Sequence, residues 1–251
     1  MKMFLGLALT LCVSSPSFGE DVKVYAAAAV KSPFTTLAQD YEKATSRTVV
    51  FVFDTAGATE QKFRADASAG LLVTTEALIA ERVKSGALKG GTSRPLGATV
   101  AAFAVPPGSP KPDISTPAKL KAVLLAVHGI AFSDPARGAT VGTHFTKVIE
   151  TLGIKDEVMR KATVAPDGVE TMRLVLDKKV DLGVSQMSEI VQANPDALVG
   201  PFPGEFDLAT TFSVWYRTDA APAVRDFAAL ITSRAGQARL AADGFRVAQQ
   251  R

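Results

Sequence analysis

Four turns rich in small or hydroxyl-bearing residues have the composition of an anion site. Each follows an apolar strand-like run and precedes a helical stretch. Helix N-termini carry unpaired backbone N–H groups that attract anions, and small side chains let a ligand approach them. Each turn could equally be an ordinary N-cap, so the hypothesis depends on all four converging. The turn residues that we expect to bind a ligand are Ala29, Thr55, Ala56, Gly57, Gly138, Thr140 and Val169.

Three polar side chains near these turns are candidates for ligand recognition. Arg137 lies in the longest turn and could pair with a carboxylate through two parallel hydrogen bonds, or it could be a solvated loop arginine. Lys31 could offset anionic charge or face solvent. Gln186 follows a strand at its carboxyl end, where α/β folds place ligands. We therefore add these three residues to the predicted binding site.

His144 and Glu189 are the candidate proton carriers. A lone histidine commonly serves as a structural hydrogen-bonding group, and Glu189 could simply cap the helix that follows it. The sequence has no Gly-x-Ser-x-Gly elbow and only two histidines, which argues against a serine triad and a histidine-rich metal site. We expect no metal and no cofactor.

The elements that position these residues alternate between short β-branched runs and amphipathic helical stretches. This pattern predicts an α/β fold with mainly parallel strands. We predict strands at residues 22–25, 49–53, 71–74, 99–105, 129–133, 162–164, 181–184 and 210–216. We predict helices at residues 34–43, 59–67, 76–85, from 117, 140–152, 169–177 and 221–242, with a break at Gly236.

Two extended runs, near residues 99–105 and 210–216, mark where the chain would leave one lobe and return to it. Two crossings make a hinge, and a hinged pair of lobes closes around a ligand in the cleft between them. We predict that residues 20–104 and 209–251 form the first lobe and that residues 105–208 form the second. We expect the protein to be a monomer.

The N-terminus has the pattern of an export signal. Lys2 precedes an apolar stretch from Phe4 to Val13, and Ser17-Phe18-Gly19 is a small-x-small cleavage site. We predict a signal peptide at residues 1–19 and a periplasmic location. The single cysteine, Cys12, lies inside this signal, so the mature chain has no thiol for disulfides or thiolate catalysis. The 28 basic and 25 acidic residues are not clustered, and we expect no nucleic-acid partner.

Several motifs resemble those of a known family. Tyr25-Ala26-Ala27-Ala28-Ala29-Val30 resembles the Phe-Ala-Ala-Ala-Ser-Leu opening of periplasmic molybdate-binding proteins. The order of elements is similar to their two-lobed, type II solute-binding fold. A divergent branch that includes exported proteins with aconitate isomerase activity is more similar still, through the motifs at residues 111–117, 133–136, 183–189 and 199–201.

Departures from the molybdate-binding pattern bear on the ligand. Ala29 stands where the family has a serine hydroxyl, and Gln186 stands where it has a tyrosine. The family's Gly-Ala-Pro-Ala-Asp motif is changed to Ala67-Ser68-Ala69-Gly70. Each lost hydrogen bond to a charged group costs about 1.5–3 kcal/mol. We therefore expect a small polycarboxylate in preference to molybdate.

Two functions follow from the residues and the resemblance. The first is an exported solute-binding protein that captures a small anion between its lobes and delivers it to a membrane ABC permease; a receptor-coupled sensor would look the same in sequence. The alternative is an aconitate isomerase-like enzyme that interconverts cis- and trans-aconitate by proton transfer. That reaction needs a general base close to the carbon-bound proton, and His144 or Glu189 would supply it.

Overall fold

Strand pairing divides the chain into two lobes that share one long strand. The computed structural model describes residues 21–247. Four strands build the first lobe together with residues 91–100 of the long strand β4, which spans Gly91–Ala104. These four are β1 (Val22–Ala27), β2 (Val49–Asp54), β3 (Leu71–Thr75) and β9 (Ala209–Arg217). The signal peptide that we predict at residues 1–19 lies outside the described residues.

The first lobe confirms the predicted βαβαβ pattern. Strands β2, β1 and β3 are parallel, in that order, and β9 runs antiparallel between β3 and β4. The connecting helices are α1 (Lys31–Thr45), α2 (Ala56–Ala65) and α3 (Glu76–Lys84). Near the C-terminus, α9 (Pro222–Thr232) and α10 (Arg234–Ala242) pack on the same sheet, and Phe34 and Phe227 are fully buried between α1, α9 and the strands.

The second lobe is built on residues 101–104 of β4. These residues pair with β7 (Leu182–Gln186) on one side and with β8 (Leu198–Pro201) on the other. The parallel strands β5 (Ile130–Ser133) and β6 (Ala162–Ala165) extend the sheet beyond β7. The helices of this lobe are α4 (Pro117–Ala126), α5 (Thr140–Thr151), α6 (Lys155–Met159), α7 (Gly168–Leu176) and α8 (Met187–Ala193), and its core includes Phe103, Phe132 and Phe145.

The chain passes between the lobes twice in this arrangement. On β4 the pairing partner changes between Val100 and Ala101, and the return falls between Leu208 and Ala209, where the Ala101 N–H donates to the Leu208 carbonyl at 2.9 Å. The predicted limits of the lobes, at residues 104/105 and 208/209, stay a prediction. Within residues 21–247, no helix is both long and apolar enough to cross a membrane.

Two sequence predictions of local structure are wrong. Strand β4 begins at Gly91 and not at Thr99. It tolerates Pro95 because only β9 pairs with the strand at that residue, where the register also shifts. The C-terminal helix breaks at Ser233 and not at Gly236, because the Ser233 hydroxyl accepts the Gly236 N–H and so caps a new helix. Helix α6 and strand β8 are two further elements that the sequence pattern did not predict.

Gly142 lets helix α5 start close against β5. A methyl group built on Gly142 would overlap the Ser133 carbonyl oxygen, which is part of the backbone and cannot move aside alone. We expect Gly142→Ala to destabilise the protein by about 1–3 kcal/mol, the usual cost of overpacking, in spite of the better helix propensity of alanine. Urea unfolding measures this change. Lys147→Ala, at an exposed position of the same helix, is the control, and a Gly142→Ala protein as stable as the wild type would contradict the packing argument.

Candidate functional site

The ends of several parallel strands and the starts of the helices after them meet in a cleft between the lobes. Five of the ten predicted ligand-binding residues line it, namely Ala29, Thr55, Ala56, Thr140 and Gln186. Asp54, Ser133 and Glu189 line it as well. The space in the cleft for water-sized molecules is about 30 Å³. The lobes are in direct contact beside it, since the Gly57 N–H of the first lobe donates to the Gly138 carbonyl of the second.

Two of the helix starts at the cleft have no side-chain cap. Helix α5 follows Ala139, and the single 3₁₀ turn Ala28–Val30 that leads into α1 follows Ala27; neither alanine can accept a hydrogen bond through its side chain. Helices α2 and α7 differ, because the side chains of Thr55 and Asp167 accept N–H groups of their first turns. The first-turn N–H groups of α5 have no intrahelical acceptor, and those of the 3₁₀ turn lack a cap. These two starts are therefore the ones equipped to bind an anion.

Gln186 is a buried amide with an unused hydrogen-bonding atom. Only 5% of the residue is exposed, its Nε2 donates to the Thr210 hydroxyl at 3.3 Å, and its Oε1 has no partner in the described part of the chain. The oxygen and nitrogen of an amide can exchange places by rotation, and the other orientation leaves the NH₂ free. An anion in the cleft would favour that orientation, since Thr210 can donate its hydroxyl proton to the oxygen instead.

Asp54 joins the lobes through an ion pair with Arg137. The Arg137 Nη2 lies 2.8 Å from each carboxylate oxygen of Asp54, and its Nε donates to the Pro166 carbonyl at 3.0 Å. Lys62 lies 2.6 Å from the same carboxylate. Burial alone would raise the pKa of Asp54, but hydrogen bonds from Lys62, the Thr55 N–H and Arg137 outweigh it and hold the pKa below its ordinary value.

Arg137 therefore has a protein partner, and its predicted contact with a ligand carboxylate stays a prediction. The turn around it is also tied to the first lobe by its backbone. The Thr55 hydroxyl donates to the Arg137 carbonyl, and the Gly57 N–H donates to the Gly138 carbonyl at 3.2 Å. The structure places Gly57 and Gly138 at the contact between the lobes and at the wall of an adjoining groove.

The remaining predicted residues lie in grooves on either side of the cleft. His144 lines the groove beside Gly57, with its Nε2 2.8 Å from the Phe206 carbonyl oxygen. Lys31 and Val169 line the opposite groove, which shares Ala28 and Glu189 with the cleft. The structure thus separates the two candidate proton carriers, with Glu189 in the cleft and His144 outside it.

Gln192 ties α8 to the first lobe beside that second groove. Its amide nitrogen donates to the Ala29 carbonyl at 2.7 Å, and its amide oxygen accepts the Ser32 N–H at 2.9 Å. Sequence reasoning missed Asp54, Ser133 and Gln192 as site residues. The position of Asp54 and Ser133 at strand ends was a usable signal, but nothing in the sequence marked Gln192.

Glu189 occupies the third position of α8. Its Oε2 accepts both the Ser185 hydroxyl and the Gln186 N–H, the latter at 3.1 Å, so the helix-capping role considered for it is present. The carboxylate lies against Gly168, where a methyl group would overlap it. Burial raises the pKa of Glu189 to about 6, against the hydrogen bonds from Ser185 and Gln186, and the Asp167 charge adds to the rise.

A two-lobed α/β fold with helix starts facing the cleft defines the class of type II periplasmic binding proteins. The chain belongs to the bacterial extracellular solute-binding protein family, whose model matches residues 22–246. A protein named aconitate isomerase, from Pseudomonas sp, is 24% identical over 220 residues, which cover 83% of this chain and 82% of that protein.

Solved structures show the same fold. The periplasmic molybdate-binding protein of Azotobacter vinelandii superposes with a TM-score of 0.73 at 18% identity, over 91% of this chain and 100% of its own. A substrate-binding protein with bound phosphate from Clostridium perfringens gives a TM-score of 0.70 at 12% identity, over 92% and 100% of the two chains. At these identities the likeness establishes the fold alone.

Gly57 offers a way to block closure without changing either lobe. A methyl group on it would lie 2.8 Å from the Gly138 Cα, while the nearest other atoms also belong to the second lobe. The overpacking cost of about 1–3 kcal/mol would fall on the closed state alone, so we expect Gly57→Ala to weaken the binding of a ligand held between the closed lobes by about fivefold or more, measured by calorimetry with citrate as the probe. Gln61→Ala, one turn later on α2, is the control. Unchanged affinity in Gly57→Ala would contradict this closure contact.

The raised pKa of Glu189 makes stability depend on pH. In the folded protein Glu189 keeps its proton up to about pH 6, whereas the ordinary pKa of a glutamate side chain is 4.5. The free energy of unfolding therefore falls as the pH rises through this window. Between pH 4.5 and pH 7 the wild type should lose about 2 kcal/mol more than Glu189→Gln, which has no carboxyl proton to release. Urea unfolding at both pH values measures the difference. Parallel pH dependence in the two proteins would rule out a perturbed Glu189.

Proposed function

We propose that this protein is an exported solute-binding protein that captures a small anion between its lobes and hands it to a membrane ABC permease. The observation that carries this proposal is the pair of uncapped helix starts, at Ala28 and Thr140, on opposite sides of one closed cleft. Backbone donors of this kind bind an anion without a cationic side chain. The membership in a solute-binding family and the fold of its neighbours support the same reading.

We propose a polycarboxylate as the ligand class. The closed cleft holds about 30 Å³, roughly the room of two water molecules, which suits one compact anionic group. Past Ala28 and Glu189 the cleft adjoins a groove of about 550 Å³ with Lys31, Met172 and Leu176 on its wall. One carboxylate would lie at the helix starts, the carbon chain would follow the apolar side chains, and a second carboxylate would reach Lys31.

The loss of hydroxyl donors supports the same preference. Molybdate needs donors on all sides, and the methyl of Ala29 offers none. Asp54 lines the cleft, and the cationic groups of Arg137 and Lys62 are already paired with it. A ligand whose charges are spread along a carbon chain can place one of them at the cleft and another in the groove, where water still reaches Lys31.

Calorimetry of the mature protein against citrate, cis- and trans-aconitate, molybdate, sulfate and phosphate tests this proposal. We expect a carboxylate to bind and molybdate to bind weakly, and an anion at a hundred times its Kd should add about 2.7 kcal/mol of stability in thermal unfolding. Lys31→Ala should weaken the polycarboxylate up to about fivefold. Nanomolar molybdate binding without any carboxylate response would refute the ligand class, and the absence of any anion binding would refute the function.

An isomerase is the second candidate, and the position of Glu189 favours it. Its carboxyl group lies in the cleft with a pKa of about 6, close to that of an effective general base at neutral pH. It would take a proton from the CH₂ carbon of cis-aconitate, the double bond would shift, and a proton would return to the carbon at the other end of the allylic unit. Formation of deuterated trans-aconitate in D₂O, lost in Glu189→Gln, would establish this activity.

A further inference from the structure

The carboxylate of Glu189 is an unusual group to find in an anion cleft. It lines both the cleft and the adjoining groove, so a ligand that occupies the two must pass it. A fully ionised group of the ligand would be repelled there, since like charges at close range in a partly dry site are unfavourable. Glu189 therefore restricts which ligands fit, whatever donors the rest of the cleft supplies.

The hydrogen bonds of Glu189 leave one oxygen available. The Ser185 hydroxyl and the Gln186 N–H both go to Oε2, and Oε1 accepts no hydrogen bond within the described residues. An ionised carboxylate accepts hydrogen bonds at both oxygens and donates none. The free oxygen thus needs a donor, and ligand or water must provide it.

The side chain cannot easily turn away from a ligand. The two hydrogen bonds fix Oε2 at the start of α8, and the carboxylate lies so close to Gly168 that even a methyl group there would overlap it. It is therefore preorganised as an acceptor rather than free to adopt another rotamer.

The charged groups around Glu189 come from each neighbouring element. Asp167, in the turn before α7, adds negative charge, and Asp54 across the cleft is already paired with Arg137 and Lys62. In the groove, Arg173 is paired with Glu170 and Asp177. Lys31 of α1 also lines the groove and forms no salt bridge within the described residues. Before a ligand binds, therefore, none of these groups forms an ion pair with the Glu189 carboxylate.

We propose that Glu189 selects, among small polycarboxylates, those that present a hydroxyl or an un-ionised acid group to its free oxygen. This inference rests on the proposed function and narrows it to hydroxy acids and incompletely ionised polyacids. The hydroxyl of the ligand donates to Oε1, its carboxylate binds the helix starts, and the repulsion that a bare carboxylate would meet is avoided.

The test uses ligand pairs that differ by one hydroxyl group. Citrate is compared with tricarballylate, and malate with succinate, by calorimetry at pH 7 on the wild type and on Glu189→Gln. We expect the hydroxylated member of the pair to bind about tenfold more tightly to the wild type, which is the worth of one hydrogen bond to a charged group. In Glu189→Gln the preference should shrink to about threefold or less, because a hydrogen bond to a neutral amide is weaker than one to a carboxylate and the amide does not repel an ionised group.

Controls separate this inference from the proposed function. Glu157→Gln makes the same chemical change at an exposed position of α6 and should keep the tenfold preference, and melting temperatures show whether each variant is folded. Equal binding within a pair, tighter binding of succinate or tricarballylate, or binding of sulfate and molybdate alone would overturn the inference and leave anion capture standing. If none of these anions binds, the proposed function fails and the inference fails with it.

Discussion

The buried carboxylate of Asp54 is the group on which the closed arrangement depends. Only 3% of the residue is exposed, and a carboxylate withdrawn from water must be compensated by charged partners and hydrogen bonds. Lys62 compensates it from within the first lobe, and Arg137 does so from the second. The first lobe is thus complete only when the turn at residues 135–138 docks against it. Helix α5 starts just after that turn, and its first residues line the cleft.

The helix starts at the cleft fall into two groups, those with a side-chain cap and those without one. Helices α2 and α7 use the side chains of Thr55 and Asp167 as caps, and the Thr55 hydroxyl also contacts the Arg137 carbonyl of the second lobe. Helix α5 and the turn at residues 28–30 begin with alanines and lack such caps. An unpaired buried N–H group is costly, so these starts are most stable with an acceptor from outside the chain. For the same reason, an anion that accepts hydrogen bonds from both starts would stabilise the closed arrangement.

The sequence predicted the α/β fold and most of the elements because apolar periodicity and N-cap residues act locally. The missed helix break at Ser233 comes from a local cap, but other features depend on contacts that are distant in the sequence. Strand β4 accepts Pro95 because only β9 pairs there, and Arg137 turns to Asp54, which lies 83 residues earlier in the chain. Half of the predicted binding residues line the cleft. Of the others, Gly57, Arg137 and Gly138 lie at the contact between the lobes, and Lys31 and Val169 line an adjoining groove. Local composition identified the turns, but it could not say which of them face a ligand.

We propose that the cleft holds an anion at the two uncapped helix starts. A crystal structure of the mature protein with citrate tests it most directly. We expect a carboxylate within hydrogen-bonding distance of the backbone N–H groups of Ala28 or Ala29 and of Thr140 or Val141, with the Asp54–Arg137 ion pair intact. Citrate bound through Arg137 with Asp54 displaced, or an empty cleft at saturating citrate, would contradict it.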